Sequence, residues 1–300
     1  MIAMKRHEFI KLFSLAIVLV QIPSLALAAE DHVDRVVEEI LANVRKLKDA
    51  DPEAVPMAFW DFDGTIIKGD VSEGLIEDGQ ERYKGLVEQA ILAGWSPFYK
   101  GEEGWRRYRD SDYPRLNALG RWISWPFNAQ IFAGAKLDDF DRFCKARYAD
   151  TYRKWFFVSS VAILRRLEEA GVENHIVSAS PEIFVANAAE FLGLERTRMN
   201  AIRVSIDGGH VTTCIEYPVP YGEGKVDLVR RVVRARPHAV AIAGFGNSYS
   251  TDGAFLRYIV CQRALPGGAC GFALMINGSN PQPCFEGLFT CVKQDAVDAP

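Results

Sequence analysis

Residues 56–65 read Pro56-Met57-Ala58-Phe59-Trp60-Asp61-Phe62-Asp63-Gly64-Thr65, and this stretch decides the fold. An uncharged, mostly apolar run leads straight into a carboxylate. A short run of this kind, closed by a polar cluster, reads as a strand buried on both faces, as in parallel sheets covered by helices. The pattern recurs twice. Asn174 to Ser178 follows a helical segment bearing Val158, Val161, Leu164 and Leu167 that ends at Gly171, and Ala239 to Ala243 follows one bearing Val226, Leu228, Val229, Val232 and Val233. Upstream of the first strand, Val33, Val36, Val37, Ile40, Leu41, Val44 and Leu47 recur at helical spacing between Asp31 and Lys48. Helix then buried strand, three times over, predicts an α/β fold with a parallel sheet. Its chemistry is expected at the carboxyl ends of the strands.

Two segments interrupt the pattern. Residues 71–152 are rich in aromatics, among them Trp95, Phe98, Tyr99, Trp105, Tyr108, Trp125 and Phe132, and read as mainly helix and loop. A smaller insertion holds Ala201 to Ile206 and His210 to Ile215, joined by Asp207-Gly208-Gly209, a hairpin signal.

The N-terminus reads as a targeting segment. Lys5, Arg6 and Lys11 precede a short apolar run, Leu12 to Val20, and Ala26-Leu27-Ala28 supplies a small-x-small cleavage site. Residues 1–28 are thus expected to be a signal peptide, the run being broken by Gln21 and Pro23 before it reaches the roughly 20 residues a membrane span requires. A periplasmic or secreted protein with no stable membrane anchor is the expectation. Six cysteines, Cys144, Cys214, Cys261, Cys270, Cys284 and Cys291, make an even number in a chain bound for an oxidising compartment. Four of them crowd the Gly- and Pro-containing tail, where at least one disulfide is expected. No C-x-x-C pair occurs, which argues against a zinc ribbon. A formal net charge of −4 without a long basic run leaves a nucleic-acid partner no electrostatic support.

Four polar clusters follow strands or open helices. Asp61, at a strand tip, can act as a nucleophile toward phosphorus. Asp63 points the same way in extended chain and is placed to protonate a leaving oxygen and later activate water. Gly64 lets the chain turn, and Thr65 is expected to hold Asp63. Ser178 closes the second strand, where a hydroxyl and backbone N–H groups can bind phosphoryl oxygens. Lys225, opening a helix, supplies a point charge suited to a phosphoryl group and a carboxylate. After the third strand, Asn247 and Asp252 offer oxygen ligands of the kind Mg²⁺ takes.

These four elements, in this order, resemble the motifs of the haloacid dehalogenase-like hydrolase superfamily, across residues 56 to 255. The resemblance implies a Rossmann-like core of residues 29–70 and 153–300, with a mainly helical cap, 71–152, inserted after the first catalytic strand as in phosphoserine phosphatase. It implies phosphomonoester hydrolysis through an aspartyl phosphate, with Asp61 as nucleophile, Asp63 as acid/base, and Ser178 and Lys225 on the phosphoryl group. Mg²⁺ would sit on Asp61, the carbonyl of Asp63 and Asn247, with Asp252 in support. Asn247 stands where the family usually has Asp, which removes one negative charge beside a divalent ion. A catalytically weak or silent binding domain, or a phosphotransferase, therefore stays open beside a phosphatase. Asp63 argues against dehalogenation, which needs no acid/base there.

The substrate expected is a small phosphate monoester. Asp70 and Glu73, nine and twelve residues past the nucleophile, are similar to acidic positions of the bacterial phosphorylcholine phosphatases, as is the stretch Phe98-Tyr99-Lys100-Gly101-Glu102. That resemblance implies a quaternary ammonium held by Asp70, Glu73, Tyr99 and Glu102 through charge and cation–π attraction. Ser72 and Lys100 depart from the pattern.

Overall fold

The first helix, α1, covers residues 32–50, and one stripe of it (Val33, Val36, Val37, Ile40, Val44 and Leu47) is buried, as the helical spacing predicts. The computed structural model describes residues 32–262 and 264–297. The expected signal peptide and its cleavage site lie outside the described residues.

Strand β1, Val55–Trp60, follows directly and is buried from Pro56 onward. Next come a hairpin, β2 (Gly74–Glu77) and β3 (Gln80–Lys84), and five helices: α2 (Leu86–Leu92), α3 (Gly101–Arg107), α4 (Tyr113–Leu119), α5 (Arg121–Gln130) and α6 (Leu137–Arg147). Helix α7, Val158–Glu169, returns the chain to the sheet, and β4 is Glu173–Pro181. Two one-turn helices, α8 (Glu182–Val185) and α9 (Ala189–Leu192), lead to the pair β5 (Met199–Asp207) and β6 (His210–Glu216). Helix α10, Glu223–Arg234, precedes β7, Ala239–Gly246; helix α11, Gly253–Val260, precedes β8, Phe272–Ile276, and β9, Thr290–Val292.

Seven strands form one sheet in the order β6-β5-β4-β1-β7-β8-β9, parallel throughout except for β6 at one edge. This is the Rossmann-like core expected, with a mainly helical cap inserted after the first strand. Strand β1 is central, with β4 and β7 on its two sides. The chain turns to opposite sides of β1 there, and the resulting crevice is where open α/β sheets bind ligands. Trp60 joins the three strands: its indole N–H donates to Asn174 Oδ1 on β4 at 2.8 Å, and its ring stacks on Phe245 of β7 at 3.5 Å between centroids. Trp60 is fully buried, so losing its side chain costs about 3–5 kcal/mol on the scale of aromatic core truncations.

Several expectations are corrected. The Ala201–Ile215 hairpin is no insertion: β5 pairs with β4 and carries β6 as the edge of the main sheet. Its turn residues Gly208 and Gly209 both have positive φ (53° and 77°), as a two-residue hairpin turn needs. Residues 71–152 contain the β2–β3 hairpin as well as helices. In α7 the buried face is Ser160, Ile163, Leu164 and Leu167, with Val158 turned outward. The C-terminal tail is not a stapled loop either. Phe272–Ile276 is a fully buried strand, and the disulfide expected in the tail is absent: all six cysteines are free. Their sulfurs sit apart, on local partners. Cys270 neighbours the Gly268 carbonyl, Cys284 the Gln282 side chain, and Cys291 the Tyr249 hydroxyl and Phe289 carbonyl, so hydrogen bonds and packing hold the tail instead. Among the described residues no helix is long and apolar enough to cross a membrane.

The cap encloses its own aromatic cluster. Tyr108 stacks with Trp105, Tyr113 and Phe127, and its hydroxyl donates to Asn128. Helix α5 packs along β4, β5 and β6, which brings one of its faces over the carboxyl ends of the central strands.

Candidate active site

Asp61 continues directly from β1, its N–H still bonded to the Phe245 carbonyl of β7 at 2.8 Å. The strand therefore fixes its position. The residue is 5% exposed, and its side chain has two partners: Lys225 Nζ lies 2.6 Å from Oδ1, and the Thr65 hydroxyl donates to Oδ2 at 3.1 Å. Thr65 thus holds Asp61 rather than Asp63. Lys225, in the first turn of α10, is fully buried and also reaches Asp252 Oδ1 at 2.7 Å. Asp252 stands at the first position before α11, and its Oδ2 accepts the backbone N–H groups of Asn247 (3.0 Å) and Ser248 (2.9 Å) in the preceding turn. Both of its oxygens thus already accept hydrogen bonds, and Asp252 ties Lys225 to the Asn247–Ser248 turn.

The electrostatics follow from burial. Desolvation, then the Asp252 charge, push the Asp61 carboxyl up to about 7 against the pull of Lys225. Burial disfavours the Lys225 ammonium too, but Asp252 and Asp61 outweigh it and hold its pKa at about 12. The lysine stays charged at neutral pH.

Asp63 is half-buried, and burial raises its pKa despite three hydrogen bonds and the Lys225 charge. Its Oδ1 accepts the Val71 N–H at 2.7 Å; its Oδ2 accepts the Ser180 hydroxyl at 2.7 Å and the Ser178 hydroxyl at 3.4 Å. Asp70 Oδ1 takes the N–H groups of Ser72 (2.7 Å) and Glu73 (2.9 Å), an Asx-type turn at the mouth of the site. Burial, then the charges of Asp63 and Glu73, raise the Asp70 pKa well above the carboxylate range. Gly64, at φ 71°, makes the turn after Asp63, and Asn247 lies against it so closely that a Cβ there would fall 1.9 Å from the amide nitrogen.

These groups surround a cavity of about 280 Å³, near the lower end for small-ligand sites. Asp61, Asp63, Asp70, Glu73, Lys225 and Asn247 line it. Ser178 and Asp252 stand just behind the lining, fully buried. Tyr99 and Glu102 are elsewhere. Tyr99 is buried against Tyr108 and Phe127 and donates to Asp112 at 2.9 Å, while Glu102 is exposed on α3. The sequence reading missed Ser72, Ser180 and Thr251, and above all the cap's contribution: Arg121, Trp125 and Asn128 of α5. Their spacing of i, i+4 and i+7 is one helix face, a signal present in the sequence. Arg121 lies over the Trp125 ring at 5.2 Å, and Trp125 meets Tyr221 edge-on at 5.1 Å.

The arrangement pairs a buried carboxylate nucleophile, held by an ammonium, with a second carboxylate in the same small cavity. No curated protein sequence matches the chain. Among solved structures, a protein of unknown function from Bordetella pertussis Tohama I superposes with a TM-score of 0.59 at 16% identity, covering 80% of this chain and 98% of that one. A conserved, functionally unknown protein from Anaerococcus prevotii DSM 20548 gives a TM-score of 0.54 at 18% identity, covering 87% and 96%. Both likenesses concern the fold alone. Residues 58–257 match the family described as haloacid dehalogenase-like hydrolase, a span that includes every polar cluster described above. The chain belongs to the haloacid dehalogenase-like hydrolases.

Proposed function

We propose that this chain hydrolyses small phosphate monoesters through an aspartyl phosphate on Asp61. The observation that carries the reading is the Lys225 ammonium 2.6 Å from Asp61 Oδ1, in a cavity Asp61 shares with Asp63. In the first step Asp61 attacks phosphorus as the P–O(alkyl) bond breaks, and Asp63 gives its proton to the departing alkoxide. In the second, Asp63 removes a proton from water as its oxygen attacks the phosphoryl group, releasing phosphate and restoring the Asp61 carboxylate. Lys225 offsets negative charge on Asp61 and on the phosphoryl oxygens throughout.

The family implies Mg²⁺, and the residues fit such an ion. Asp61, Asp63 and Asp70 line a cavity whose one buried cation among the lining residues, Lys225, is already shared with Asp252. Burial first, and at Asp61 and Asp70 the neighbouring carboxylate charges, raise their pKa values, a setting that a bound cation would relieve. Among the described residues no group of three or more His, Cys, Asp or Glu is placed to hold a metal. The ion would therefore take mixed ligands, the Asp61 carboxylate, the Asp63 carbonyl and the Asn247 side chain, with waters completing its shell. When bound, it supplies charge neutralisation at the phosphoryl oxygens.

For the alcohol portion we favour a cationic group, phosphorylcholine in particular. Support comes from the Glu73 carboxylate and the Trp125 ring at the cavity, without the Tyr99 and Glu102 contribution expected from sequence and with Asp70 held toward its neutral form by burial. Export to the periplasm or medium belongs to the same proposal and rests on the N-terminal sequence. Cell fractionation tests it.

The test of the reaction is an aryl phosphate assay with and without Mg²⁺ on wild type and Asp61→Asn. The variant should retain less than about one part in a thousand of the wild-type rate while still folded. A folded Asp61→Asn protein that turns over at a substantial rate removes Asp61 from the reaction.

A further inference from the structure

In the wall of the cavity runs a chain of hydroxyl groups to which the sequence reading gives no role. Ser72, where the segment leading from β1 enters the cap, donates to Ser180 Oγ at 3.0 Å, and Ser180 donates to Asp63 Oδ2 at 2.7 Å. The three serines of this region are nearly inaccessible: Ser72 is 4% exposed, Ser180 5% and Ser178 0%. A hydroxyl has one proton to give. With Ser72 donating to it, Ser180 directs its own proton to the carboxylate. Ser178, the residue expected at this position of the site, makes only a 3.4 Å contact with Asp63, and its oxygen also accepts the Ser180 N–H at 3.1 Å.

Asp63 is thereby pinned at both ends of its carboxylate. The Val71 N–H fixes Oδ1 from the cap-side linker, and Ser180 fixes Oδ2 from the end of β4. Without Ser180, Oδ2 keeps only the longer Ser178 contact, and the Val71 bond at Oδ1 is left as the main restraint on the terminal torsion, which has a broad minimum. An acid/base group must lie within hydrogen-bond reach of the oxygen it serves, so a loss of orientation acts on the chemical step more than on binding.

We propose that Ser180 is a positioning residue for Asp63, itself oriented by Ser72, so that the linker into the cap and the end of β4 together set the geometry of the acid/base. The proposal rests on the phosphatase reading above. It predicts that Ser180→Ala lowers kcat about tenfold with KM changed less than about twofold, the pattern of an interaction made in the transition state. Ser180→Thr, which keeps the hydroxyl, restores most of the rate. Ser72→Ala has a smaller effect of the same kind, and the double variant is no slower than Ser180→Ala alone, because Ser72 acts only through Ser180.

The experiment is steady-state kinetics of these four variants on an aryl phosphate with Mg²⁺, with thermal unfolding of each to establish that it is folded. Should Ser180→Thr fail to fold, the two alanine variants and their double still complete the cycle. Wild-type kcat in Ser180→Ala, a raised KM at unchanged kcat, or fully additive effects of the two alanine substitutions would each overturn the proposal while a silent Asp61→Asn left the phosphatase reading intact. Absence of turnover in the wild-type chain would overturn both.

Discussion

Lys225 and Asp252 are both fully buried, and Nζ of the one lies 2.7 Å from Oδ1 of the other. The same ammonium reaches Asp61, so one buried cation serves two carboxylates at the floor of the cavity. Removing one member of a buried ionic pair leaves its partner uncompensated, which typically costs about 3–5 kcal/mol. Lys225→Met should therefore lose stability on that scale, read from the midpoint of urea unfolding, along with all turnover. Adding Asp252→Asn to it should return part of the lost stability, because one of the two stranded charges is gone. A double variant less stable than Lys225→Met contradicts this account of the triad.

Gly64 is the backbone counterpart of that triad. Its φ of 71° disfavours any side chain, and a methyl group there would collide with the Asn247 amide at 1.9 Å. Gly64→Ala should cost about 1–2 kcal/mol in stability from the left-handed conformation alone. It should also displace Asn247 and lower turnover at least tenfold, with the larger loss at low Mg²⁺. Activity that recovers fully on adding Mg²⁺ assigns the effect to the ion site. Activity that stays low at all Mg²⁺ concentrations assigns it to the position of Asp63.

The parts of the fold that could be read from sequence are those where a local pattern is enough. Met57 to Trp60 is apolar on both faces because β1 is central, so the run announces itself, and the residues at its tip follow. Phe272 to Ile276 is as apolar and as buried, yet it lies among Gly267, Gly268 and Cys270, whose turn chemistry dominates a local reading. The site divides in the same way. Asp61, Asp63 and Asn247 meet because parallel strands bring their carboxyl ends together, and Lys225 joins them from the first turn of α10. Arg121, Trp125 and Asn128 share a helix face in any helix; only the packing of α5 along β4 to β6 shows that this face covers the cavity. Tyr99 illustrates the converse. An aromatic next to acidic residues in sequence is here buried in the cap's own cluster, its hydroxyl taken by Asp112. Ser180 is concealed for a third reason, since a serine two residues past the strand's expected end carries no periodic signal.

His175 gives the fold an acid-sensitive point away from the site. It lies on β4, 8% exposed, stacked on Phe59 at 5.5 Å; among the described residues neither ring nitrogen has a hydrogen-bond partner, the Glu173 carboxylate standing 3.8 Å from Nε2. Burial, reinforced by Arg198, lowers its pKa to about 4. A depressed folded-state pKa means that the unfolded chain takes up the proton first. The contribution is therefore fully present above the unfolded value of about 6.5 and is lost as pH falls toward 4, on the order of 3 kcal/mol in all. His175→Phe, which keeps the ring stack, should lose less stability than wild type between pH 7 and pH 4.5 in paired urea titrations. Equal losses in the two proteins would mean that His175 does not remain neutral in the fold.

The choice of a cationic substrate turns on two side chains of opposite charge at the cavity. Glu73 accepts the Tyr113 hydroxyl at 2.6 Å, a bond that Gln can also accept, so Glu73→Gln removes the charge with little change of shape. Arg121 lies over the Trp125 ring, the face a quaternary ammonium would use. Glu73→Gln should then raise KM for phosphorylcholine and leave a neutral aryl phosphate almost unaffected, whereas Arg121→Gln should lower KM for phosphorylcholine by freeing the ring and removing a repulsive charge. A cation over an aromatic face gains about 2 kcal/mol at most in a site of this kind, so changes near tenfold are expected in both directions. Free choline should inhibit wild type competitively, Glu73→Gln more weakly and Arg121→Gln more strongly. If both substitutions instead change the two substrates alike, Glu73 and Arg121 act on the phosphoryl group or on cap packing. If Arg121→Gln raises KM for phosphorylcholine, the guanidinium is a contact to the substrate, and the alcohol portion carries negative charge.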